Sequence, residues 1–153
     1  MLPPPSGAPL SRRLPDWFTY GALPLLARFL IASEFVIAVN GKIFGWSGQA
    51  AYMAAAGMTM IGPLLGAALA IEAIGTLFVV TGFKARYAAA VMFVYLGIVS
   101  VRLHGFWHMT GMAAAGNEGQ FFKNLGMMGC LLMIAVYGPG RWAVDKPDRS
   151  ASM

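Results

Sequence analysis

The sequence predicts an all-α protein, a four-helix antiparallel transmembrane bundle with both termini in the cytoplasm. Of its 153 residues 58% are hydrophobic and only 11% are charged, whereas a soluble domain averages about 25% charged residues. A soluble protein of this size has too little interior to bury so much apolar surface, which argues against a soluble enzyme or a disordered chain. The long apolar runs do not alternate with polar residues, as transmembrane strands would. The single cysteine, Cys130, excludes an internal disulfide framework.

The chain divides into a transmembrane domain and two tails. Residues 1–20 form a basic and aromatic N-terminal tail, whose proline-rich start favours a flexible chain. Residues 21–145 form the four-helix domain, and residues 146–153 form a C-terminal tail.

Each predicted helix has its own signals. Pro24 suits the first turn of a helix over about 23–41, and Pro63 suits the start of a helix over about 63–81 that Gly82 ends. The third helix is expected over about 86–103 and the fourth over about 119–137. Because a helix that crosses the bilayer needs about 20 residues, the last two are long enough only with polar residues at one end.

The distribution of lysine and arginine predicts the orientation. Seven lie on the side shared by both tails and the second loop, and three lie on the other side. The seven are Arg12, Arg13, Lys84, Arg86, Arg141, Lys146 and Arg149, and the three are Lys42, Arg102 and Lys123. Basic residues accumulate in cytoplasmic loops, so both termini are placed in the cytoplasm. The same residues explain the net charge of +5 without a nucleic-acid partner.

Two acidic residues lie inside predicted helices. Glu34 is about 15 Å along the first helix and Glu72 is about 13 Å along the second, so both lie near mid-depth. An unpaired carboxylate facing lipid there is costly. Each is therefore protonated or paired, and two interpretations remain open: proton handling, which His104 at the outer end could share, or a hydrogen-bonded clasp between helices.

A second group of candidates lies at the outer ends of the helices. Antiparallel spans are expected to bring these ligand-binding candidates together on the non-cytoplasmic side: Lys42, Arg102, His104, Trp107, Lys123 and Asn124. The cations would bind an anion or a quinone carbonyl, with Trp107 as a stacking surface. The alternative is that cations and aromatics occupy these ends for structural reasons. No metal site is predicted, because His104 and His108 have no adjacent cysteine or carboxylate.

Several motifs, in order, are similar to those of the DoxX family of bacterial membrane proteins. They are the stretch from Arg28 through Asn40-Gly41-Lys42, Ile71–Gly75, His104–Trp107, Gln120–Leu125 and Gly138–Asp145. The resemblance implies a four-helix fold in the bacterial inner membrane. It also implies a link to thiosulfate:quinone oxidoreduction or thiol-redox partners, with Arg28, Gly41-Lys42, Glu72, His104 and Lys123-Asn124 as the family's recurrent positions.

The expected function follows mainly from that resemblance. We expect a quinone-interacting or accessory membrane subunit of a bacterial redox system, with no built-in cofactor and a quinone as its ligand. Such a chain would be part of an oxidoreductase rather than a complete enzyme. The alternatives are a non-enzymatic anchor or assembly partner, or a small-solute transporter. Its partners would be the lipid bilayer and either another protein or further copies of itself.

Overall fold

The computed structural model describes residues 14–145. A π-helical turn at Phe18–Ala22 leads directly into α1 (Leu23–Phe44). There follow α2 (Trp46–Ala55), α3 (Ile61–Thr81), α4 (Ala85–Leu103) and α5 (Gly111–Tyr137). The described residues contain no strand. Four helices are long and apolar enough to cross a membrane: Phe18–Phe44, Ile61–Thr81, Ala85–Leu103 and Gly111–Tyr137. The predicted all-α, four-helix transmembrane fold is therefore confirmed.

The bundle has two distinct ends. At the terminal end, the backbone N–H of Arg141 donates to the Tyr20 carbonyl over 2.7 Å, so the first and last described segments meet there. At the loop end lie α2 and the connection between α4 and α5. The cytoplasmic location of the terminal end stays a prediction. Arg12, Arg13, Lys146 and Arg149, which contribute to it, lie outside the described residues.

The spanning helices pack in the order α1, α3, α4, α5, and α1 meets α5 at only a few places. We call this sparsely packed junction the α1/α5 seam. Buried apolar side chains fill the interior, among them Phe35, Val79, Met92 and Leu131. Large apolar side chains also cover the outward faces, as lipid contact requires; examples are Leu30, Ile37, Ile98 and Val136.

The helix α1 extends three residues beyond its predicted end, and α3 and α4 begin two residues and one residue before their predicted starts. Two differences are larger. The helix α5 begins at Gly111 rather than near residue 119, because the Gly- and Ala-rich stretch before Gln120 continues the helix toward the loop end. The ten-residue helix α2 was not predicted, since it is too short to span a bilayer. It lies against the ends of α1 and α3.

The segment after α5 folds back over the terminal end. Val144 N–H donates to the Thr81 carbonyl over 3.0 Å. Arg28 is only 1% exposed, and its guanidinium donates to the carbonyls of Val80, over 2.8 Å, and Trp142. Arg28 thereby ties α1 to the end of α3 and to the C-terminal segment.

Candidate functional site

A buried ion pair joins three helices near the middle of the bundle. Lys42 Nζ lies 2.9 Å from Glu72 Oε1 and 2.8 Å from Oε2. The hydroxyl of Tyr95 donates to Glu72 Oε1 over 2.6 Å. The three side chains come from α1, α3 and α4, so we call them the buried clasp.

Helix geometry explains how Lys42 reaches a carboxylate at mid-depth. Lys42 is two residues before the end of α1, at the loop end, while Glu72 is eleven residues after the start of α3. Side chains on a helix lean toward its N-terminus. The side chain of Lys42 therefore points away from the loop end, and that of Glu72 points toward it. Their charged groups meet at a depth between the two backbone positions.

The clasp is shielded from its surroundings and balanced in charge. The side chain of Glu72 is 5% exposed and that of Lys42 is 12% exposed. The carboxylate accepts from one ammonium and one hydroxyl, so neither charge is left uncompensated. This arrangement supports the helix-clasp interpretation of Glu72, because a buried pair with extra hydrogen bonds holds its elements in one geometry.

A second ion pair bridges the α1/α5 seam. Lys123 Nζ lies 3.1 Å from Glu34 Oε2, and the side chains are 44% and 39% exposed respectively. Glu34 is ten residues before the end of α1, and Lys123 is twelve residues after the start of α5. Both residues are thus near the middle of their helices. We call them the seam pair.

The other predicted site residues are spread over separate groups. Asn124 is buried and donates through Nδ2 to Ser100 Oγ over 3.1 Å, which ties α5 to α4. Trp107 packs its ring against Phe106 and Phe121 at the loop end. Arg102 is exposed on α4, and its side chain makes no hydrogen bond or ion pair within residues 14–145.

His104 belongs to a polar cluster that fastens α2 to the rest of the loop end. Tyr52 on α2 donates its hydroxyl to the Leu103 carbonyl over 2.8 Å and lies 3.0 Å from Asn117 Oδ1. His104 Nδ1 lies 3.2 Å from the same amide oxygen, within hydrogen-bonding distance. Burial raises the pKa of Tyr52, so its hydroxyl keeps the proton that it donates.

The structure therefore does not bring the six ligand-binding candidates into one pocket. It separates Lys42 into the buried clasp, Lys123 into the seam pair and His104 into the loop-end cluster. The space enclosed by Ile31, Thr76 and Leu131 in the core is too small for a water molecule. In the part of the chain that the structure describes, no three His, Cys, Asp or Glu residues lie close enough to hold a metal ion.

Sequence reasoning missed the hydroxyl and amide partners Tyr95, Tyr52, Asn117 and Ser100. A usable signal existed for Tyr95. It lies ten residues after the start of α4, and Glu72 lies nine residues before the end of α3. Because adjacent antiparallel helices place these positions at one depth, Tyr95 was a candidate partner for the acid.

Comparison with known proteins gives a consistent family. Residues 58–150 match the model of the SURF4 family. The inner membrane protein YphA of Escherichia coli K12 is 34% identical over 136 residues, which cover 85% of this chain and 96% of YphA. The inner membrane protein YqjF of the same organism is 31% identical over 122 residues, covering 80% of this chain and 88% of YqjF.

A eukaryotic protein matches part of the chain. The Surfeit locus protein 4 homolog of Schizosaccharomyces pombe is 33% identical over 73 residues, which cover 46% of this chain and 24% of that protein. No solved structure matches the chain.

These matches correct two expectations. The assignment to the DoxX family was wrong, because the family model and the relatives point to the SURF4 family instead. The expected function as a quinone-interacting subunit of a redox system rested on that assignment and is wrong with it. The short motifs that suggested DoxX consist largely of glycines, charged residues and aromatics, residue types that many membrane proteins share.

Proposed function

This chain belongs to the SURF4 family, and we propose that it works as a non-catalytic membrane assembly protein that pairs with a second copy of itself. It is a multi-pass inner-membrane protein, as are its relatives YphA and YqjF. The proposal gives the α1/α5 seam the role of the pairing surface.

The observation that carries the proposal is the exposure of the seam pair. A single charged side chain at the bilayer centre costs about 3 kcal/mol on insertion scales. Glu34 and Lys123 compensate each other, but 39% and 44% of their side-chain surfaces remain uncovered near the middle of their helices. Lipid tails cannot hydrogen-bond with these groups, whereas another transmembrane helix that carries polar groups can.

The α5 surface around Lys123 supports close approach of such a helix. Gly116, Gly119 and Gly126 lie within two turns of Lys123 on the same side of α5. A Cβ atom added at any of them would meet nothing within 4 Å. Small residues of this kind let helix backbones come close together in membranes.

The charge pattern of the seam is self-complementary. A two-fold axis along the membrane normal exchanges left and right on a face but preserves depth. Glu34 and Lys123 are at one depth because they are in contact. In a two-fold dimer, Glu34 of each copy would therefore face Lys123 of the other, and the four charges would form a neutral network.

The rest of the polar interior fits an assembly role better than a catalytic one. In the buried clasp, Lys42 and Tyr95 both donate hydrogen bonds to Glu72. Asn124 donates a hydrogen bond to Ser100. These bonds fix the relative positions of the spanning helices. They support a rigid bundle that presents one polar surface to a neighbour.

Cross-linking at Cys130 tests the proposal. Cys130 is exposed, and it lies seven residues, or two turns, after Lys123 on the same side of α5. A short bis-maleimide added to native membranes should link two copies through Cys130. The matched control replaces Cys130 by serine and places the cysteine at Val94, which is exposed on α4.

The two outcomes are distinct. A covalent dimer through Cys130, absent in the Cys130→Ser chain and weak with the Val94→Cys control, supports the proposal. Equal yields at both positions, or linkage of Cys130 only to proteins of other mass, would overturn pairing at the seam.

A further inference from the structure

The outer surface of α4 and α5 carries an open apolar groove that is separate from the seam. It has a volume of about 520 Å³, and its lining includes Phe93, Gly97, Ile98, Val101, Met128 and, at one end, Arg102. Gly97 has no side chain, and Met128 of α5 borders the groove beside it, since a Cβ at Gly97 would lie 3.4 Å from Met128 Cε. Ligand pockets span about 300–1,000 Å³, so the groove is of ligand size.

The length of the groove matches one leaflet of a bilayer. Phe93 and Arg102 are nine residues apart on α4, which corresponds to about 13.5 Å of helix. Half of a hydrocarbon core of about 30 Å is about 15 Å. The groove therefore runs from near mid-bilayer to the loop end, along the direction of a lipid tail.

Arg102 places a positive charge at the loop end of the groove. It is one residue before the end of α4 and is exposed, and no described residue accepts a hydrogen bond from its side chain. A guanidinium matches a phosphate group geometrically because it donates two parallel hydrogen bonds. At the membrane interface, the phosphates of lipid headgroups are the anions that lie at this depth.

We propose that this groove is a binding site for an anionic phospholipid, with an acyl chain along Gly97 and the phosphate at Arg102. The apolar lining gives affinity for the chain, and the single cation gives preference for a net negative headgroup. The headgroup of phosphatidylethanolamine carries an ammonium group that balances its phosphate charge. Its electrostatic attraction to Arg102 is therefore weaker. The site is independent of dimer formation at the seam.

The first test uses the unmodified chain. The protein is purified in detergent, incubated with equal amounts of phosphatidylglycerol and phosphatidylethanolamine of matched acyl chains, and examined by native mass spectrometry. We expect the phosphatidylglycerol complex to exceed the phosphatidylethanolamine complex about five-fold, the factor that one basic side chain near an anionic lipid supplies. Equal retention of the two lipids would overturn the proposal.

Two variants separate the headgroup contact from the chain contact. Arg102→Gln should remove the preference for phosphatidylglycerol, whereas Gly97→Leu should fill the groove and lower retention of both lipids. Gly66→Leu is the matched control, because Gly66 lies at similar depth on α3 and a Cβ there would meet nothing within 4 Å. An unchanged preference in Arg102→Gln, or equal losses in Gly97→Leu and Gly66→Leu, would contradict the site.

Discussion

At the residue scale, Glu72 is a costly group to remove. Its carboxylate compensates Lys42, whose ammonium is otherwise buried between α1 and α3. Breaking a buried ion pair from one side costs more than the pair contributes, since the remaining charge stays desolvated. The clasp therefore matters less for net stability than for fixing how α1, α3 and α4 sit together.

This asymmetry gives a first prediction. Glu72→Leu should lower the free energy of unfolding by about 3–5 kcal/mol. The double variant Lys42→Met/Glu72→Leu should recover the part due to the unpaired Lys42 and keep a deficit of about 1–3 kcal/mol, because the Tyr95 hydroxyl loses its acceptor. Denaturation in detergent, followed by circular dichroism, measures both. Glu118→Gln, at an exposed acid on α5, is the control and should change little. A double variant as unstable as Glu72→Leu would contradict the clasp.

At the element scale, both ends of the bundle are held by short segments. At the loop end, Tyr52 fastens α2 to the end of α4 and the first turns of α5. Because the pKa of Tyr52 is raised by burial, the protonated donor is the form that the fold favours. The protonated Tyr52 hydroxyl therefore contributes fully to the free energy of unfolding at pH values below the pKa of tyrosine in the unfolded chain. This contribution is lost as the pH rises through the pKa that Tyr52 has in the folded protein.

The second prediction concerns α2. Tyr52→Phe should increase amide hydrogen exchange in Trp46–Ala55 about five-fold, which corresponds to one lost hydrogen bond of about 1 kcal/mol. Exchange in α3 and α4 should be unchanged at neutral pH. Mass spectrometry of peptides measures the two regions separately, and an equal change in both would show that Tyr52 supports the whole bundle instead.

The third prediction concerns the terminal end. Gly82 has φ +76°, and a Cβ there would lie 2.8 Å from Arg28 Nη1 and would clash with Ala143 Cβ. Gly82→Ala should therefore cost about 1–3 kcal/mol and loosen the segment after Tyr137. Limited proteolysis should cut this segment faster than in the protein with Gly62→Ala, where a Cβ meets nothing within 4 Å. Equal cutting rates in the two variants would contradict the packing of the segment after Tyr137 on the terminal end.

The sequence is sufficient to predict the four spanning helices, because long apolar runs and the glycine and proline signals around Pro24, Pro63 and Gly82 act locally. It does not predict the partners of the charged side chains. Lys42 was placed with the outer cluster, but its lean toward the N-terminus of α1 carries it to Glu72. An error of one residue in helical phase moves a side chain by about 100°, which is enough to change its neighbours.

At the scale of the whole molecule, the α1/α5 seam is the surface that a bilayer covers least well. Large apolar side chains cover much of the other outward surface, and Glu72 and Asn124 in the interior are hydrogen-bonded within the bundle. Among the ion pairs of residues 14–145, only the seam pair is both near the middle of its helices and partly exposed. Pairing of two copies there would remove these charges from lipid without any change in the fold.

The most direct test of this account is the oligomeric state of charge variants at the seam, measured by single-molecule subunit counting in nanodiscs. The unmodified chain should be a dimer. Glu34→Lys and Lys123→Glu should each weaken the dimer at least about ten-fold, because like charges then meet across the axis. The swapped double variant Glu34→Lys/Lys123→Glu should recover the dimer. A monomeric unmodified chain, or a swapped variant no better than the single ones, would contradict pairing through Glu34 and Lys123.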